Sequence, residues 1–240
     1  MTAGKTTQLK ALPGWEAWLR DSDRPARTPR LAGDLDAILA AGPKSAEWDR
    51  ARRALQRKLQ MAIPAPVYYG RIARSPVGAL WLAVSEQGLV AVEFDRPEAE
   101  FRRSLERRTH RRALRADDPT DKARRQLLDY LKGRRRRFSL AVDLSHVTTF
   151  QRRVLHAAQA VPRGQVSTYG QIARQIGKPR AARAVGQALG SNPIPIVIPC
   201  HRVLGSDGSL HGYSGRGGIR TKAWLLQLEQ AQLPGFSAVP

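Results

Sequence analysis

Hydrophobic spacing changes character several times along the 240-residue chain, and each change marks an element. Residues 1–30 show no apolar period and read as a loosely ordered arm. Leu31–Ala41 and Ala46–Met61 then predict two short helices parted by Gly42-Pro43, the second with a stripe of Ala54, Leu55 and Leu59 beside Lys58. After the linker Pro64-Ala65-Pro66 the period shortens. Val67–Arg74, Gly78–Val84 and Leu89–Phe94 alternate or run apolar between turns at Ser75-Pro76 and Glu86-Gln87-Gly88, predicting three strands of an antiparallel meander. Helices over Pro97–Arg108 and Pro119–Lys132 follow. A fourth strand is predicted at Phe138–Val142, just after the run Arg134–Arg137.

From Thr149 the pattern is helical. Phe150, Val154, Leu155 and Ala158 share one face of a helix that ends before Val161-Pro162-Arg163-Gly164. Thr168 caps a second helix with Tyr169, Ile172, Ala173 and Ile176 at i, i+3, i+4 and i+7. Gly177 stops it, Lys178-Pro179 turns the chain, and a third helix runs from Arg180 to Leu189. Two short helices about a glycine-containing turn form a helix-turn-helix candidate. In the third helix Ala181, Val185, Ala188 and Leu189 should pack inward. Its other face carries Ala182, Arg183, Gly186, Gln187 and Gly190, small residues around one long cation. A major-groove reader needs several polar side chains for base edges. A helix is about 10–12 Å across and the minor groove about 6 Å wide, so a bare face suits close approach to a widened minor groove.

Charge strengthens that picture. The chain has 41 Lys plus Arg against 20 Asp plus Glu, a formal charge of +21. Residues 148–240 hold eleven basic side chains and two acidic ones, Asp207 and Glu229. Such an excess favours a polyanion, because each neutralised phosphate releases counterions. No apolar run approaches the roughly 20 residues of a membrane span, and the amino terminus lacks an apolar signal core. A cytoplasmic protein without membrane contact is expected.

The single cysteine focuses the chemistry. Cys200 ends the run Pro193-Ile194-Pro195-Ile196-Val197-Ile198-Pro199 and is followed by His201. One thiol excludes an internal disulfide and a cysteine-cluster zinc site. The prolines forbid helix, so an extended strand is expected to carry Cys200. An adjacent imidazole can take the thiol proton, through a bridging water since neighbours do not face each other. A third group should orient the imidazole. Glu229, on a helix over Thr221–Gln230, is the candidate.

Pro199-Cys200-His201-Arg202-Val203, with Asn192-Pro193-Ile194-Pro195 and Arg183-Ala184-Val185-Gly186 before it, closely resembles the O6-alkylguanine-DNA alkyltransferases. The resemblance runs from Val67 to about Glu229. It includes Phe150-Gln151, the Thr168–Ala173 helix, Gly212-Tyr213-Ser214-Gly215 and Lys222-Ala223-Trp224-Leu225-Leu226. It implies an α/β fold class: a ribonuclease H-like α/β domain at 65–147 with a small antiparallel sheet, and a mainly helical, winged-helix-like domain at 148–240 containing the helix-turn-helix. Residues 1–64 form an extension without assigned function.

By the same resemblance Cys200 accepts the alkyl group from O6 of a flipped guanine, or O4 of thymine, irreversibly and once per molecule. His201 deprotonates it through water, Glu229 holds His201, Tyr169 aids flipping and protonates the departing guanine, and Asn192 braces the turn. Arg183 fills the gap left by the base, with Ala182, Gly186, Gln187, Thr168 and Arg180 along the DNA. Tyr213, Ser214, Val203, Pro195 and Lys222 belong to the substrate pocket. No cofactor or metal is implied, and a monomer acting on double-stranded DNA through the minor groove is expected. The loop 214–219 is two residues longer than the shorter family form. The alternative, a non-enzymatic alkyltransferase-like lesion binder that recruits excision repair, would have the cysteine replaced. A transcription regulator using the 168–190 helices would bind undamaged duplex tightly and by sequence.

Overall fold

The computed structural model describes residues 64–213 and 217–232, together with Ala46, Asp49, Arg50 and Arg53, which are helical. The chain divides into units Met1–Ala62 and Ile63–Pro240. The expected helices over 31–41 and most of 46–61 lie outside the described residues, as does Ser214.

The second unit begins with strands β1 (Val67–Ile72), β2 (Leu80–Ser85) and β3 (Gly88–Phe94), antiparallel in sequence order as the alternation predicts. Helix α1 (Glu98–Thr109) then leads to β4 (Ala113–Arg115). This strand pairs parallel with β1, giving the order β3-β2-β1-β4. The sheet is therefore mixed, not antiparallel; three residues are too few to show a period of two. A register shift lies between Ala83 and Val84, where Val90 is the extra residue of β3. The bulge resets the alternation. Leu89 and Val92 can thus face one core while Val90 and Ala91 face the other.

One face of the sheet packs on α1 through Tyr69, Trp81, Phe101 and Leu105. Its other face meets α2 (Asp121–Leu131), and that core runs on without a break into the helical lobe. Ile72, Leu80, Leu82, Leu127 and Tyr130 share it with Val154, Ile172, Val185, Ile194 and Cys200. The predicted strand at 138–142 is absent. Only Val142 bridges Leu89, with Leu89 N–H donating to Ala141 O at 2.9 Å. Phe138 and Leu140 pack against the core instead. The β3 edge also donates from Val92 N–H to Pro193 O at 2.8 Å. An edge that would otherwise be open is thereby tied to the segment carrying the cysteine.

The helical lobe holds α3 (Thr149–Gln159), α4 (Tyr169–Gln175), α5 (Ala182–Gly190) and α6 (Ile219–Leu228). Thr168 caps α4 in a reciprocal box: its Oγ1 accepts from Gln171 N–H at 3.1 Å and its own N–H donates to Gln171 Oε1 at 2.7 Å. Gly177, at φ 71°, closes the helix, and Lys178 N–H reaches back to Ala173 O at 2.9 Å. Arg180 sits in the turn before α5 rather than on it. Strands β5 (Ser167–Thr168) and β6 (Val203–Leu204) pair parallel, placing Tyr169 beside the cysteine segment.

Candidate active site

The proline-rich run is a buried turn, not the extended strand expected. Ile198 N–H donates to Ile194 O at 2.9 Å, and Ile196 takes φ 75°. Prolines remove the donors that a strand ladder needs as surely as those a helix needs. A side chain supplies what is missing: Asn192 Nδ2 donates to Ile198 O at 2.9 Å, and its Oδ1 accepts from Ile194 N–H at 3.0 Å. The turn delivers Cys200 to the start of a single 3₁₀ turn, Cys200–Arg202.

Cys200 is buried. Burial pushes its thiol up; a hydrogen bond from Asn192, the charge of Lys222 and the backbone N–H groups of Cys200 and His201 pull the other way. His201 is fully buried, with Nε2 2.7 Å from Glu229 Oε1. Burial disfavours the imidazolium, more than the Glu229 contact can offset, so the His201 pKa falls. Burial also opposes the Glu229 carboxylate. Hydrogen bonds from His201 and Arg202 nevertheless hold Glu229 down to about 2. A neutral imidazole against a carboxylate must place its proton on Nε2. The lone pair is then on Nδ1, which is buried and without a partner among the described residues. His201 is thus set as a base.

Two residues in this cluster carry no role in the sequence reading. Arg202 Nε donates to Glu229 Oε2 at 2.7 Å, while its other nitrogens reach Val161 O, Glu229 Oε1 and Tyr130 Oη. Tyr130, from α2, donates its hydroxyl to Glu229 Oε1. Burial and the nearby Glu229 raise the Tyr130 pKa to about 12, so it remains a donor. Arg202 stood inside the recognised motif; Tyr130 lay 99 residues from its acceptor.

Lys222 is buried, donating to Val203 O at 2.7 Å and His211 O at 3.3 Å. Burial lowers it to about 8, against the pull of Cys200. Tyr213 brings a buried hydroxyl with no partner among the described residues. Burial drives its pKa well up, with Cys200 and Glu229 adding to the shift.

A cavity of about 20 Å³ touches Cys200 between Tyr169, Gly186, Leu189, Gly190, Gly212 and Tyr213. That is room for about one water. Beyond it lies a groove of about 950 Å³ shared by Ala182, Arg183, Gly186 and Gly190 of α5 with Gly205, Ser206 and the 211–213 loop. A Cβ on Gly186 would sit 3.8 Å from the Tyr169 ring. Arg183 and Gln187 are exposed, Arg183 on the groove and Gln187 off it. The structure brings Cys200, Tyr169, Tyr213, Ala182, Arg183 and Gly186 to one concavity. It sets Asn192, His201, Glu229 and Lys222 behind the thiol. Thr168 is spent on capping, and Pro195 and Val203 are buried away from the groove walls.

Fold and site together define a two-lobed α/β protein that offers one activatable thiol to a large, bare groove. Comparison with known proteins makes that definition specific. Residues 67–144 match the model described as 6-O-methylguanine DNA methyltransferase, ribonuclease-like domain, and residues 149–231 match the DNA binding domain of the same family. A methylated-DNA–protein-cysteine methyltransferase of Salmonella typhimurium is 41% identical over 162 residues, covering 65% of this chain and 91% of that protein. One from Methanosarcina barkeri is 40% identical over 167 residues, covering 70% and 99%. The crystal structure of Mycobacterium tuberculosis OGT in complex with DNA aligns at TM-score 0.56 and 41% identity, over 70% of this chain and 96% of that one. The chain belongs to the 6-O-methylguanine DNA methyltransferase family.

Proposed function

We propose that this protein repairs DNA by direct reversal, moving an alkyl group from O6 of guanine to Cys200. The observation that carries the reading is the buried His201–Glu229 pair, whose free Nδ1 can take a proton from the neighbouring thiol. The Cys200 proton passes to His201 through a water, and Glu229 steadies the imidazolium that forms. The thiolate attacks the alkyl carbon; the S–C bond forms as the C–O6 bond breaks. Tyr169 gives its proton to the leaving guanine, which departs neutral.

The base reaches the thiol by leaving the duplex. The Ala and Gly face of α5 supports minor-groove docking, and Arg183 is free to occupy the vacated position. The small cavity at Cys200 shares Tyr169, Gly186, Gly190, Gly212 and Tyr213 with the groove, the side from which a purine would approach the thiol. The thioether is stable and no second thiol is present in the chain to resolve it. Each monomer therefore acts once.

Incubation with duplex containing O6-methylguanine should add one methyl to the Cys200 peptide by mass spectrometry, in a 1:1 burst without turnover. Cys200→Ala should transfer nothing yet retain DNA binding. Repeated turnover, or methylation elsewhere in Cys200→Ala, would overturn the assignment. Comparing methyl- and benzylguanine substrates measures what the 214–219 loop admits.

A further inference from the structure

On the far side of the Glu229–Arg202 pair lies a second concavity, of about 680 Å³, that the alkyl-transfer reading leaves unused. Its size is that of a small-molecule site. Arg136 and Arg137 line it from the arginine run, and Arg163 lines it from the turn after α3. Among the described residues neither Arg136 nor Arg137 has an ion-pair partner, whereas their neighbour Arg134 is matched to Asp129 at 2.6 Å. Arg163 has one nitrogen on Leu228 O, but its Nε is buried without a hydrogen-bond partner among the described residues. Among the described residues the one acidic group in the wall is Glu229, already neutralised by Arg202 and hydrogen-bonded by His201 and Tyr130. Phe138, Leu140 and Val197 give the same concavity an apolar side.

Arg136 and Arg137 are exposed, and Arg163 lies over the Tyr130 ring, 5.9 Å from its centroid. Water therefore screens much of the repulsion among the three guanidinium groups, and an anion held among them relieves the rest. Guanidinium forks match phosphate oxygens in pairs. The apolar side suits an organic group attached to that phosphate. We propose that this concavity binds a free organic phosphate of mononucleotide size, at a site separate from the α5 groove. It shares Glu229 and Arg202 with the transfer machinery, so occupancy will be felt by His201. Phosphate binding here is independent of alkyl transfer and is read directly.

Calorimetric titration of the full chain with ATP, AMP and inorganic phosphate tests it. One saturable nucleotide site is expected, weaker for inorganic phosphate. Affinity should fall at least tenfold in Arg136→Gln/Arg137→Gln and stay within twofold in Arg183→Ala. Bound nucleotide should also remain when undamaged duplex is added. Absence of saturable binding, or equal affinity in the double variant, would overturn the proposal. So would greater loss in Arg183→Ala, which would place the nucleotide in the groove. Displacement by duplex would assign the phosphate to the DNA backbone and equally defeat it. Circular dichroism and methyl transfer by the double variant serve as checks of folding. Both should match the unmodified protein, since among the described residues neither arginine forms a hydrogen bond or ion pair with the transfer residues.

Discussion

The two sides of Cys200 are furnished in opposite ways. On the groove side α5 offers Ala182, Gly186 and Gly190 with Arg183 as its one lining cation, so nearly all polar contact is left for a ligand to supply. Behind the thiol, Glu229, Arg202, His201 and Tyr130 satisfy one another in a closed set, leaving His201 Nδ1 over. Under the proposed function the first surface gains from what it lacks, because side chains there would hold a duplex away. The second works by completeness, since an unpaired charge at that depth is costly. Substitutions should therefore damage the two sides in different currencies, stability behind the thiol and binding in front of it.

Glu229→Gln strikes the closed set hardest. It leaves Arg202 buried without a countercharge, which should cost about 3–5 kcal/mol and lower the melting temperature on the order of 10 °C. Alkyl transfer should slow by roughly 100-fold or more as His201 loses its orienting anion. Acid attacks the same set. Glu229 stands at about 2 against an ordinary 4.5. Its contribution, on the order of 3 kcal/mol, is present above about pH 4.5 and lost as pH falls toward 2. His201, with its pKa lowered by burial, begins the loss earlier: the unfolded chain takes up a proton below about pH 6.5 that the folded chain refuses. Urea unfolding at steps from pH 7 to 3 should show stability falling throughout. A flat profile would mean that the set is not closed.

Tyr130→Phe removes one donor to Glu229 and should cost about 1–3 kcal/mol, with DNA affinity unchanged. Gly186→Ala tests the other side with the opposite sign. Its Cβ meets the Tyr169 ring at ordinary contact distance, and helix propensity favours alanine by up to about 1 kcal/mol. The fold should become slightly more stable while duplex binding weakens, measured by fluorescence anisotropy. Arg183→Ala, at an exposed position, should shift stability by less than about 0.5 kcal/mol. Transfer from duplex should nevertheless slow about tenfold or more, and from free benzylguanine hardly at all.

Much of this was legible in the chain. Thr168 with Gln171 three residues on, Gly177 past the last apolar position, and the bare face of α5 are local signals, each fixed by neighbours within a turn or two. The failures are non-local. The three residues of β4 become a strand only because β1 lies beside them. Pro193–Pro199 forbids regular structure but does not say which way it bends, and that depends on Asn192 reaching across to Ile198. Phe138–Val142 has a strand's composition, yet β3 accepts it at one point alone. Tyr130 carries no local mark of its role.

Family comparison splits residues 67–231 at about 145, but the core does not. Leu127 and Tyr130 share one buried cluster with Val154 and Ile194, and Val92 donates to Pro193 across the same seam. That seam is not a mechanical joint. Heating should melt both lobes in a single calorimetric transition, and a helical lobe expressed alone would face solvent with the wall that now seats Cys200.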